Sequence, residues 1–199
     1  MSRKVFDVLT SAGALVLVVV LLVAGGLLTW GHSFVDSNVH SQLARQEIFF
    51  PSKAAFAHPK AGTEITSAMI PSVSQYAGQQ LLTGKQAEAF ADHFIAIHLS
   101  EMPYGGVYSK ISAAALANPT NTGLKTFEGT SFQGTTLRGL LLEAYAFSTI
   151  GLIMLWGAIA SFILAALMLL FVGLGFRHAR STAPEKRMMA PEVRPAAVA

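Results

Sequence analysis

The chain has 199 residues, of which 52% are hydrophobic and only 13% charged, with a formal net charge of +3 and a mean hydropathy of +0.50. A soluble domain carries nearer a quarter charged residues, so an ordinary soluble globule is a poor fit. Cysteine is absent, which excludes disulfides, thiolate metal sites, lipid attachment through cysteine and cysteine nucleophiles.

The basic excess sits at the two ends. Residues 1–30 hold 2 Lys/Arg and 1 Asp/Glu, residues 177–199 hold 5 and 2, and residues 31–144 hold 7 and 8. Basic flanks beside apolar blocks are a membrane-topology signature, and they argue against a nucleic-acid partner.

The first apolar block, Val8 to Trp30, has 23 residues without charge or proline. At 1.5 Å per residue a helix there is about 35 Å long, enough for a bilayer core of about 30 Å. Its length exceeds a secretory signal and no A-x-A-like cleavage site follows it, so it reads as an uncleaved anchor. Trp30 stands where an interfacial aromatic belongs.

The region 31–144 reads as mainly helical. Ser33 to Ile48 carries Phe34, Val35, Val39, Leu43 and Ile48 at mostly helical spacing and continues the first block outward. Phe49-Phe50-Pro51 should end it, since a residue before proline resists the α conformation. Ser52 to Thr66 reads as irregular connection, and Ser72 to Leu82 as a short helix.

Gly84 to Met102 is the clearest helix of the region. Thr83 and Gln86 suggest a capping box, and Ala87, Phe90, Ala91, Phe94, Ile95, His98 and Leu99 repeat on one face. Pro103 and Gly105-Gly106 should stop it. A further helix is expected over Val107 to Ala117, ended by Asn118-Pro119, and another from near Thr135. Strand signals and internal repeats are lacking.

The second apolar block, Tyr145 to Phe176, has 32 residues without charge or proline, more than a bilayer needs. Its first turns are therefore expected to stand outside the membrane. Arg3 and Lys4 before the first block, and Arg177, Arg180, Lys186 and Arg187 after the second, place both termini in the cytoplasm. The tail after Ser181, rich in proline and alanine, reads as disordered.

The fold class expected is an all-α membrane protein of the plasma membrane. It has two transmembrane helices (8–30 and 145–176) with an extracytoplasmic helical cap (31–144) between them, and short cytoplasmic ends (1–7 and 177–199).

Gly157, Ser161 and Ala165 recur at four-residue intervals, and Gly25 and Gly26 lie in the outer half of the first block. Ridges of small residues allow close backbone approach in lipid. These five are the candidates for helix packing against each other, a second copy or a partner.

Catalytic signals are weak. Five of the six histidines (His32, His40, His58, His93 and His98) lie in the middle region. His93 and His98 are five apart and fall on different helix faces. His98 and Glu101 are three apart and share one, but His98 also belongs to the apolar face, where a packed histidine is the usual explanation. There is no G-x-S-x-G elbow, no Walker A loop and no G-x-G-x-x-G. Neither apolar block carries an ionisable group of the kind that marks ion paths. No catalytic, metal or cofactor residue is singled out, and no cofactor is expected.

Four segments carry a resemblance. They are WGHSFVDSNVHSQLARQEIFFP, TSAMIPSVSQYAGQQLLTGKQAEAFADHFIAIHLSEM, YSKISAAALANP and TLRGLLLEAYAFSTIG. Together they resemble a family of small two-span membrane proteins of high-GC Gram-positive bacteria. The likeness covers most of residues 1–180 and is most specific at Gln46–Pro51 and at Tyr76-Ala77-Gly78-Gln79-Gln80. Members are often labelled aromatic ring-opening dioxygenase. That label implies Fe(II) held by two histidines and a carboxylate, a set that cannot be carried over residue by residue.

The function expected is therefore a non-enzymatic plasma-membrane protein, an accessory subunit whose cap binds a partner. Its partners would be the bilayer and a protein or second copy met through the spans or the cap. The alternatives are a membrane-anchored non-haem iron dioxygenase and an external sensor without its own output domain.

Overall fold

The computed structural model describes residues 3–59 and 65–181, so the tail expected to be disordered lies outside it beyond Ser181. The described residues are mostly helical, with no strand. Seven α-helices follow in order: α1 Arg3–Ala44, α2 Lys53–Ala57, α3 Ile70–Val73, α4 Gly84–Phe90, α5 Ala96–Ser100, α6 Tyr108–Ala117 and α7 Thr122–Ser181. A π turn, Ala91–Ile95, joins α4 to α5. Helices α1 and α7 are each long and apolar enough to cross a membrane.

The chain divides into two compact units. One comprises Met1–Trp30 with Met154–Ala199, the other Gly31–Ile153.

The first unit is an antiparallel helix pair. Ser11 lies against Gly175, Gly25 against Phe162 and Leu28 against Gly157. Near one end, His178 Nε2 is 3.8 Å from Asp7 Oδ2. This register brings Trp30 level with Trp156 at the other end. Buried positions recur every seven residues on both helices: Ser11, Val18 and Gly25 on α1, and Ala158, Ala165, Val172 and Ala179 on α7. A seven-residue repeat is the seam of a left-handed coiled coil, and small residues there let the backbones come close. The remaining faces are apolar and open. Only 17% of the most apolar window of α1 is buried, and 11% of that of α7.

The second unit packs around α7. His32 Nδ1 donates to Gly151 O at 2.9 Å, and Val35 also lies against Gly151, so the C-terminal part of α1 runs antiparallel to α7. Segment α4–π–α5 does the same on another face. Gly84 abuts Ser148 and Tyr145, Asp92 meets Arg138, Leu99 lies against Gly134, and Ser131 Oγ donates to Gly106 O at 2.6 Å. The core between these helices gathers Leu43, Phe50, Met69, Val73, Leu81, Phe90 and Leu141. Phe50 stacks edge-on against Phe90 at 5.3 Å and tilts against Tyr76 at 5.1 Å. Each such side chain contributes about 1.5–3 kcal/mol on burial.

Several boundaries differ from the sequence reading. α1 ends at Ala44, short of the Phe49-Phe50-Pro51 step, because Gln80 Nε2 donates to its terminal carbonyl at 2.9 Å and Glu47 adopts a positive φ of 52°. Phe50 N then donates to Gln79 O, and Leu81 N to Ile48 O, a single antiparallel bridge. Ser52, expected in irregular chain, caps α2 by accepting from Ala55 N at 3.3 Å. α7 begins at Thr122, well before Thr135, with Asn121 Oδ1 accepting from Leu124 N at 3.1 Å. The expected 72–82 helix is shorter and earlier: α3 runs into a 3-10 turn, Ser74–Tyr76.

Candidate functional site

Among the described residues, the second unit includes two depressions that could receive a ligand. One is a cavity of about 340 Å³ bounded by α3, the turn after it, α4, the π turn and α7. The other is a groove of about 450 Å³ between α1 and α7, lined by apolar Phe34, Val39, Leu43, Leu140 and Phe147 and bordered by amides such as Gln42. Both volumes fall in the range of small-molecule sites.

The cavity is built from α4 outward. Thr83 and Gln86 form the capping box that starts the helix: Thr83 Oγ1 accepts from Gln86 N at 3.3 Å, and Gln86 Oε1 accepts from Thr83 N at 3.0 Å. Gln86 Nε2 also donates to Gln79 Oε1 at 3.0 Å. The Gln79-Gln80 pair thus ties the start of α4 to the end of α1. The close approach of Gly84 to Ser148 then sets the helix hard against α7, so Tyr145 becomes a wall of the cavity.

The π turn decides what faces it. On an unbroken α-helix, Asp92 would lie at the centre of the face made by Lys85, Glu88 and Ala89, with His93 at its edge. Here Ala96 N donates to Ala91 O, five residues back, and the wider turn sets each residue back around the axis. His93 therefore lines the cavity beside Lys85 and Glu88, while Asp92 turns to Arg138. Lys85 and Glu88, three apart on one face, bring opposite charges to one opening. Among the described residues, the polar ends of Tyr76, Lys85, Glu88, His93 and Tyr145 make no hydrogen bond or ion pair with the protein.

No protein-family model matches the sequence, and neither a curated protein nor a solved structure matches it.

The other histidines sit elsewhere. His98 Nδ1 donates to Phe94 O at 2.9 Å, and its ring stands edge-on to Phe94 at 4.6 Å. Its Nε2 is buried without a partner. Among the described residues no three of His, Cys, Asp and Glu gather where they could hold a metal ion. The donor set of the described residues does not fit the Fe(II) centre that the dioxygenase label implies.

Of the packing candidates, Gly25 faces the Phe162 ring and Gly157 faces Leu28 Cδ1. Ala165 is fully buried and Ser161 partly so, whereas Gly26 has open space where a side chain would stand. The four-residue ridge 157–161–165 missed Ala158, Val172 and Ala179. Their signal in the sequence is the seven-residue recurrence of small residues and valine.

Proposed function

We propose that this chain is a plasma-membrane protein that crosses the bilayer twice, with both termini in the cytoplasm, and that the unit Gly31–Ile153 is an extracytoplasmic helical cap. The cap binds a partner, and the protein serves as a non-enzymatic accessory subunit. The observation that carries the membrane reading is the pair Trp30 and Trp156, level on the antiparallel helices and both largely exposed. Indole rings favour the bilayer–water boundary. The core helix of a soluble protein would bury its apolar sides, yet Val16, Leu170 and Phe171 stand open. In water such surface would aggregate; in lipid it is the solvated face.

The Trp pair supports a second span that starts near Trp156. That leaves the turns from Tyr145 to Leu155 outside the bilayer, in keeping with the excess length of the block. The recognition role is supported by the preformed cavity and groove of the cap, and by the absence of catalytic motifs in the sequence. Resemblance to a two-span family fits the same architecture.

A photo-crosslinking amino acid placed at Gln42 in the groove, or at Leu116 on the far surface of α6, tests the recognition role in living cells. A single discrete adduct from either position supports it. A full-length, membrane-inserted chain that gives no adduct from either contradicts it.

A further inference from the structure

We infer that the cavity walled by Tyr76, Lys85, Glu88, His93 and Tyr145 is a binding site for a small zwitterion of the amino-acid class, a free amino acid or a dipeptide. This inference rests on the reading of Gly31–Ile153 as the recognising part of the molecule.

Three observations point to it. First, a cation and an anion, Lys85 and Glu88, share one helix face at the opening but form no ion pair with each other. Opposite charges three residues apart have Cβ atoms about 5–6 Å from each other. A ligand carrying a carboxylate beside an ammonium matches both charges at once, whereas a simple anion or cation would leave one charge facing its like.

Second, the remaining polar lining is suited to orienting such a ligand. Among the described residues, His93 and the hydroxyls of Tyr76 and Tyr145 make no hydrogen bond with the protein, and Gln75 adds an amide at the edge. They arrive from three different elements, the 3-10 turn, the π turn and α7, so they converge only in the folded unit. A site of a few convergent polar groups within a concave wall is how proteins fix the pose of a small molecule.

Third, the lining is built at a cost in helix regularity. The π turn brings His93 over the Lys85–Glu88 face and sends Asp92 to Arg138. Were Asp92 to stay on that face, the opening would carry a second carboxylate and repel the ligand's own. π turns of this kind occur often at functional positions. The depression opens to solvent, and its volume of about 340 Å³ matches a free amino acid or a dipeptide.

The test uses the full chain purified in detergent micelles. The probes are the free L-amino acids and the dipeptide Ala-Ala, each compared with its amide, which lacks the carboxylate, and with the deaminated acid, which lacks the ammonium. Binding is read by isothermal titration calorimetry. At least one zwitterion should saturate the protein, and both of its singly charged analogues should bind at least ten-fold more weakly. Lys85→Ala and Glu88→Gln should each weaken the zwitterion about ten-fold or more, and His93→Ala should weaken it measurably, while Lys110→Ala, exposed on α6 away from both depressions, changes nothing. Lys85 and His93 are exposed and Glu88 partly so, and unchanged helical circular dichroism shows that the variants remain folded.

Saturation by none of the probes at millimolar concentration would overturn the inference. So would a deaminated acid binding as tightly as its amino acid, or affinity untouched by Lys85→Ala and Glu88→Gln. Because binding is read in micelles, a reversed membrane topology would contradict the proposed function without touching this result. A null titration of correctly inserted protein would sink the ligand class alone.

Discussion

Arg138 holds Asp92 with two nitrogens on one oxygen: Nη2 at 2.7 Å and Nε at 3.2 Å from Oδ1. The pair joins the π turn to α7 and fixes which residue of the turn faces the cavity. Both side chains are more than a third exposed, at 40% and 36%, so solvent screens the attraction and the pair contributes about 0.2–1 kcal/mol. Asp92→Ala or Arg138→Ala should therefore cost no more than about 1 kcal/mol in denaturant unfolding. A double-mutant cycle should return a coupling of that size that shrinks in high salt. A coupling near zero in low salt would deny the tether.

The turn after α5 should be far more sensitive. Tyr104, Gly105 and Gly106 are consecutively left-handed, with φ of 57°, 64° and 69°. At Gly106 a Cβ would also overlap the carbonyl of Leu99, whereas at Gly105 it meets open space. Gly105→Ala should cost about 1–2 kcal/mol, the price of a left-handed alanine. Gly106→Ala should cost more than that, because the backbone of Leu99 must move and the hydrogen bond from Ser131 is disturbed. Thermal unfolding of the two variants should separate them in this order.

The paired-helix register can be locked. A Cβ on Gly175 would stand 3.6 Å from Ser11 Cβ, close to the mean of about 3.8 Å found in disulfides. The chain has no cysteine of its own, so Ser11→Cys with Gly175→Cys should oxidise to a single intramolecular crosslink. Gly13→Cys with Gly175→Cys should not, because Gly13, two residues on from Ser11, faces open space. The opposite pattern would disprove the antiparallel seam.

Trp30 and Trp156 are the two tryptophans of the chain, so each is an optical probe when the other is Phe. Trp30→Phe and Trp156→Phe proteins in vesicles of lipids brominated at graded acyl depths should show matching quenching profiles, both strongest for the shallowest bromines. Profiles that differ in depth would move the boundary of one span.

Much of this fold is legible where local chemistry decides. The Thr83/Gln86 capping box is present as its spacing suggests, and α6 begins within one residue of its expected start and ends at Ala117. The apolar stretches of α1 and α7 follow directly from composition. What escaped the sequence depends on distant partners. α7 starts thirteen residues before the expected Thr135, and Gly134 inside the added part is where Leu99 packs. The end of α1 is set by Gln80, thirty-six residues on. The seam repeats every seven residues, and a search at four-residue spacing finds Ala165 but passes over Ala158 and Ala179.

The candidate cavity was the least legible part. His93 reads as one of several scattered histidines, and nothing in Ala91–Ile95 announces a π turn. Only the folded unit brings Lys85, Glu88 and His93 to the same opening as Tyr76 and Tyr145.

The central claim, two spans with the helical cap outside, is tested most directly by single cysteines in this cysteine-free chain. Leu116→Cys lies on the most exposed large apolar side chain of α6, at 79% exposure, and Ser181→Cys at the end of α7. In intact cells a membrane-impermeant maleimide should label Leu116→Cys at once and Ser181→Cys only after the membrane is opened. Labelling of Ser181→Cys in intact cells, or protection of Leu116→Cys until permeabilisation, would contradict the account.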